Sequence, residues 1–211
     1  ELSKVQLEHV RARVLASVRN VDEDLATRIA NGLAMPLPSA LTPAAPPVDM
    51  KPSPALSIVG KFKPTLEGRK VGILFDEGSS KADIDRVRKG VQDAGGSVML
   101  IAPKVGGIKI NGGTLKADGQ LAGTPSALLD AIALVLTPSA AAKLAEEACA
   151  VDFVRDAFGH LKAIGCTQDA APLLQKAGIE RDAGVTDLGK AFVKAALTRF
   201  FDREPKVRSL A

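Results

Sequence analysis

Cys166 is the residue of this chain whose type and position come closest to those of a nucleophile. It ends the apolar run Lys162-Ala-Ile-Gly-Cys166, and a helical pattern starts just behind it at Asp169. A thiol at the last position of a core strand is expected at the sheet edge, where the N-terminus of the following helix would lower its pKa. The same residue also reads as a small buried apolar side chain, because free cysteine is among the most buried types. Nucleophilic catalysis needs a base within hydrogen-bond reach of the sulfur. His160 lies six residues earlier on the same extended segment, so at ~3.3 Å per residue it sits roughly 20 Å away, at the opposite edge. His9 belongs to the N-terminal helical region, and Thr167 and Gln168, which follow the cysteine, are not bases. Asp83 could approach from the edge of the first strand. It also stands as the last residue of Ser80-Lys-Ala-Asp83, a capping-box spacing. The residues therefore assign no catalytic group, with Cys166 and Asp83 as the alternative pair.

The loop Asp76-Glu-Gly-Ser-Ser80 places glycine and serines before a helix, as phosphate cradles do. Two carboxylates at its mouth would repel a phosphate, and the spacing fits neither the dinucleotide-binding nor the P-loop pattern. Two cysteines without CxxC spacing and two histidines far apart assemble no close metal-ligand motif, and reduced thiols in a cytosolic setting are expected. Lys and Arg number 28 against 24 acids, a net charge of +4 spread along the chain, with aromatics at 3%. Neither a basic run nor basic-aromatic interleaving is present, which argues against nucleic acid. No apolar run reaches the roughly 20 residues that would span a bilayer.

The elements that must position these groups follow from periodicity. Val71, Ile73, Leu74 and Phe75 form an apolar run of strand length suited to the centre of a sheet. Ile84, Val87, Val91 and Ala94 recur at helical spacing between Ser80 and Gly95, and Ser97 to Pro103 is a second strand. A crossover helix between two such strands implies a right-handed parallel unit. Asn111-Gly112, within the alternating stretch from Gly106 to Gly119, predicts an antiparallel hairpin. Ala131 to Thr137 is the third core strand, with helices from about Ser139 and through Val151 to Gly159. The strand ending at Cys166 comes next, then Gly184-Val-Thr-Asp187 and a helix burying Phe192, Val193, Ala196, Leu197 and Phe200. The fold class is α/β, a flavodoxin-like, doubly wound, mainly parallel sheet with helices on both faces. Ligands in such sheets collect at the carboxyl ends of strands, here Asp76 to Asp83, Thr137 to Ser139 and Cys166 to Asp169.

Ahead of this layer structure, residues 1–34 read as a two-helix tail. Leu7, Val10, Val14, Val18 and Val21 make one stripe and Leu25, Ile29 and Leu33 another. The second helix is expected to open at Asn20-Val-Asp-Glu23 and to end through Gly32 and Pro36. Residues 35–68 hold eight of the thirteen prolines and read as an extended connector, with Leu56-Ser-Ile-Val59 as a segment pinned against a neighbour. The domain proper is 69–211. The opening Glu1-Leu-Ser-Lys-Val has neither an initiator Met nor a basic-then-apolar leader, and reads as the middle of a longer product.

Residues 69 to 200 resemble the class I glutamine-amidotransferase-like superfamily. The likeness lies in Val-Gly-Ile-Leu-Phe75, in Ser-Lys-Ala-Asp83 and in Leu161-Lys-Ala-Ile-Gly-Cys-Thr-Gln-Asp-Ala-Ala-Pro-Leu-Leu174, which puts Cys166 on that family's nucleophile position. Its enzymes carry small residues, often a histidine, directly after the cysteine, where this chain has Thr167 and Gln168. The whole chain resembles the C-terminal part of the large-subunit haem catalases of the hydroperoxidase II type. The likeness is carried by Leu2-Ser-Lys-Val5, Arg11-Ala-Arg13, Asp22 to Ala34, the Pro-rich connector and the α/β domain in that order. The resemblance implies that the helices complete a catalase core, that the connector wraps over it and that the appended domain adds no known chemistry. It implies a haem-bearing N-terminal core and a homo-oligomer, tetrameric in the family, as partners. It also implies a cytoplasmic setting and, for the whole protein, hydrogen peroxide disproportionation. Haem iron in catalases is held by a tyrosine, and this chain has none, so haem is expected outside it. Unfolded client proteins, shielded by bare apolar stripes, are a further expected partner class. A cysteine-dependent hydrolase or thiol stress protein using Cys166 is the alternative function.

Overall fold

The computed structural model describes residues 1–207 and divides the chain into two units, Glu1–Ser57 and Ile58 onward. The last four residues of the expected 69–211 domain lie outside the described residues.

In the first unit a single 3-10 turn, Leu2–Lys4, precedes helix α1 (Glu8–Val18) and helix α2 (Glu23–Gly32). The buried positions are Leu15, Ala16, Ala26 and Ala30, whereas Leu7, Val14, Val21 and Leu25 are exposed. The stripe residues are thus exposed or only partly buried, and the buried positions are taken by Leu15 and three small alanines. Nor does α2 open at Asn20. Asp22 is the cap, extended at φ −161°, with its carboxylate accepting from the Leu25 amide at 2.8 Å. Asn20 is engaged elsewhere, donating to the Leu41 carbonyl at 2.7 Å. Gly32 is still helical, and the left-handed residue that ends α2 is Ala34, at φ 51°. The chain then folds back onto α1, where the Leu41 amide donates to Ala16 and Arg19 to the Pro38 carbonyl.

The connector is largely without regular structure. Leu56, Ile58 and Val59 are exposed. Local turns use backbone groups there, with Leu56 donating to Ser53 and Lys61 to Ile58. By Leu66 the chain has entered the second unit's core: its side chain is fully buried beside Val71 and Val91, and its amide donates to Ala94.

The second unit begins its regular structure with strand β1 (Lys70–Phe75), helix α3 (Lys81–Asp93) and strand β2 (Ser97–Ala102). Hairpin β3 (Ile108–Ile110) and β4 (Gly113–Leu115) follows, then the two-residue strand β5 (Gly119–Gln120). Next come β6 (Ala131–Val135), α4 (Pro138–Leu144), α5 (Ala148–Gly159), β7 (Ala163–Cys166) and α6 (Ala171–Lys176). The unit closes with β8 (Val185–Asp187), α7 (Lys190–Ala195) and α8 (Glu204–Val207).

Among the described residues the main sheet has the order β5-β2-β1-β6-β7-β8, and its pairs are parallel. Without the short β5 this is the flavodoxin-like order 2-1-3-4-5, whose reversal point lies between β1 and β6. One face is covered by α4, α5 and α6 over Leu74, Ile132, Leu134 and Ile164. The other is covered by α3 and α7 over Val71, Ile73, Phe75 and Val135. Alternate residues of one strand thus feed opposite cores, which is why β1 carries so little polar interruption. Gly72 and Gly165 lie in the strands because a Cβ there would come within 2.4 Å of the Leu129 side chain and within 2.6 Å of Phe192, respectively.

Candidate functional site

The strand order places the crevice of the fold between the carboxyl ends of β1 and β6. Ser79, fully buried, closes it: its hydroxyl donates to the Val135 carbonyl at 2.6 Å and accepts from the Asp76 amide at 3.0 Å. Asp76 is 5% exposed and pairs with Lys143 of α4 at 2.9 Å. The hydrogen bond to Asp76 holds the Lys143 ammonium above its ordinary pKa, so this amine is protonated and not nucleophilic. Thr137 caps α4 by accepting from the Ala140 amide, and its hydroxyl meets Ser139 at 3.2 Å. What remains is a hollow of about 340 Å³ bordered by Glu77, Gly78, Thr137, Ser139 and Lys143.

The hairpin closes the other side. The Gly78 amide donates to Lys109 at 2.9 Å and the Lys81 amide to Asn111 at 3.0 Å, while the Asn111 amide donates to Ser79 at 2.8 Å. The Asp83 amide is taken by the Ser80 hydroxyl, as the capping spacing predicts. The Gly78, Lys81 and Asp83 amides, donors that could hold an anion near the N-terminus of α3, are thus taken by the chain's own carbonyls and hydroxyl. The Asp83 carboxylate pairs with Arg86, one turn along the same helix.

Cys166 departs from the expectation of an exposed, acidified thiol. It is 1% exposed and paired on both sides within the regular sheet, with Leu134 and with Asp187. Burial pushes its pKa up, against the opposing pull of the Arg181 guanidinium, whose Nη2 donates to Sγ at 3.0 Å. Its other polar neighbour is the Thr186 carbonyl, 3.6 Å away. The helix behind it contributes little because a 3-10 turn, Gln168–Ala170, intervenes and α6 starts only at Ala171. Residues with positive φ other than glycine are Ala34 and Leu161 among the described residues. Cys166 therefore lies on an ordinary strand rather than on the strained turn that exposes a nucleophile in elbow-type sites. His160 caps α5 at the amino end of β7, away from the thiol. Asp83 is paired with Arg86, and Cys166 is held by Arg181.

Pattern reading missed Lys143, Arg181, Lys162 and Arg203. Lys162 is 5% exposed, and its ammonium donates to the Ser126 and Ala127 carbonyls at 2.7 and 3.2 Å; burial, then Arg199, lowers its pKa. Arg203, 2% exposed, donates to Asp182 at 2.6 and 2.7 Å and to the Lys162 carbonyl at 2.6 Å. Its guanidinium stacks 4.2 Å from the Phe158 ring centre and 4.8 Å from that of Phe200. These cations act as fasteners between segments distant in sequence, and no local period marks them.

The class is therefore a flavodoxin-like α/β domain whose sheet edge between β1 and β6 is narrowed by its own hairpin and side chains. Residues 67–205 match the family described as the C-terminal domain found in long catalases. The chain belongs to that family and corresponds to the C-terminal region of a long catalase. It is similar to catalase C of Rhizobium meliloti (strain 1021), 40% identical over 99% of this chain and 31% of that protein. It is likewise similar to catalase HPII of Mycobacterium avium, 33% identical over 85% of this chain and 25% of that protein. Catalase-B of Dictyostelium discoideum is 26% identical over 100% of this chain and 32% of its own length. The chain thus spans a third or less of the length of these relatives. Tyrosine is absent from the chain, His9 lies on α1 and His160 caps α5. Among the described residues, no group of three His, Cys, Asp or Glu is placed to hold a metal ion. No helix among the described residues is long and apolar enough to cross a membrane.

Proposed function

We propose that this chain is a non-catalytic, stabilising module of a long catalase. The remainder of that protein binds haem and disproportionates hydrogen peroxide to water and oxygen in defence against oxidative stress. The observation that carries this reading is the state of Cys166: buried on a regular strand and held by Arg181. In this reading residues 1–34 are a helical tail of the catalase core, 35–68 a connector over it and 69–211 the appended domain. Its partners are that core and other copies in a tetramer, in the cytoplasm. A second role, as a holdase for unfolding proteins, draws support from the exposed Val14 and Leu25 on the two helices of the first unit and from Leu7 and Val21 beside them.

The test is direct. The 211-residue chain mixed with hemin should give no Soret band and release no oxygen from peroxide. It should leave peptide, glutamine and ester substrates intact, whether wild type or Cys166→Ala. Hydrolysis by the wild type that disappears in Cys166→Ala would replace the structural reading with the hydrolase one. In a long catalase, deleting the module should shorten the half-life on heating while leaving kcat intact. For the holdase role, a chain starting at Gly68 should protect heated client proteins poorly; equal protection by both chains would move the activity to the α/β unit.

A further inference from the structure

The α3/α7 face of the second unit carries a groove that no function above uses. Its volume is about 840 Å³, and its floor is formed by Ala82, Gly90, Val193 and Leu197. Val193 and Leu197 are only partly buried, packing against the core from outside. Gly90 keeps the floor deep, because a Cβ there would stand 3.1 Å from the Val193 methyl.

Charge along the rim is uneven. On α3, Arg86 is paired with Asp83, Lys89 with Asp93, and Asp85 with Lys81. On α7, Lys190 and Lys194 also border the groove, and among the described residues neither forms an ion pair. They stand four residues apart, one helical turn, beside Val193 and Leu197 at the same spacing. The groove thus offers an apolar pair and a cationic pair, each spaced i, i+4, on α7 and the turn that follows it.

We propose that this groove binds an acidic amphipathic helix of a partner protein. The helix would lay apolar residues spaced i, i+4 onto Val193 and Leu197 and set carboxylates of the same spacing against Lys190 and Lys194. Helix-in-groove docking reads such anchors, and the uncompensated lysines select the sign of the partner's charge.

The experiment uses the full 211-residue chain and two labelled helical peptides that share a leucine i, i+4 stripe, one flanked by glutamates and the other by lysines. Fluorescence anisotropy should show the glutamate peptide binding at least about tenfold more tightly, with affinity falling as salt is raised. Lys190→Glu together with Lys194→Glu, at exposed positions that should leave the fold unchanged by circular dichroism, should abolish or reverse that preference. Equal binding of both peptides, binding of neither, or a preference unaltered by the charge reversal would overturn the proposal. So would sedimentation showing that wild type self-associates through this face and that the double variant does not, since the occupant would then be a second copy.

Discussion

At the scale of single residues, the sharpest consequence concerns Arg203. Its guanidinium is buried between two phenylalanine rings and neutralised by Asp182, so truncation leaves a half-buried carboxylate without its cation. Arg203→Ala should cost about 3 kcal/mol, as expected for breaking one side of a buried pair. Chemical denaturation would measure it, and a loss under about 1 kcal/mol would mean that water substitutes for the arginine. The same pair shapes the acid limb. Burial alone would raise the Asp182 pKa, but the hydrogen bonds from Arg203 and the Gly184 amide outweigh it and hold the carboxyl below its ordinary 3.8. A folded pKa below the unfolded one stabilises the fold above the unfolded value, and that stability is lost as pH falls through the folded value. Asp182→Asn should therefore flatten the fall in stability below about pH 4. Cys166 makes a third case. In the native chain, thiol reagents should modify the half-buried Cys149 well before the buried Cys166, and mass spectrometry of the labelled peptides would show the order.

Elements are held by close approaches more than by propensity. Phe192 of α7 lies over Gly165 of β7 with no room for a methyl group. Gly165→Ala should overpack this contact by about 1 to 3 kcal/mol, while Gly106→Ala, with open space around it, should be nearly neutral. Equal effects in thermal melts would show that α7 simply shifts outward. The hairpin is a second such contact. Its turn uses Gly112 at φ 108°, a conformation that other residues adopt at a cost of about 1 to 3 kcal/mol. Gly112→Ala should loosen the hairpin and speed hydrogen exchange at the Gly78 and Lys81 amides, which it caps through Lys109 and Asn111.

Over the whole molecule the two units differ in what they bury. The second has two extended cores on either face of its sheet. In the first, the buried apolar residues are Leu15, Ala16, Ala26 and Ala30. Ordering a residue costs about 1 to 2 kcal/mol of backbone entropy, which so little burial offsets poorly. Hydrogen exchange should accordingly be faster throughout α1 and α2 than in β1. Limited proteolysis should cut first between Val48 and Lys61, where Met50, Leu56 and Ile58 are exposed, and leave the α/β unit resistant. Exchange in α1 as slow as in β1 would show that the first unit draws stability from a source outside its own core.

Much of this architecture is local in origin and therefore visible in the chain. The apolar run Val71 to Phe75, the helical repeat from Ile84 to Val91 and the left-handed glycine at 95 determine a parallel β1-α3-β2 unit, and Asn111-Gly112 determines the hairpin. The absence of tyrosine is likewise read directly from the chain. The closing of the site was not visible. Asp76 and Lys143 are 67 residues apart, Arg203 and Asp182 are 21 apart, and neither pair belongs to a period or motif. Whether Cys166 sits at an open edge or inside the sheet depends on β8 pairing beside it and on Arg181 reaching its sulfur. Local pattern sets which way a side chain points from its own element, but only the packing of distant elements decides whether it meets water, a counter-charge or another strand.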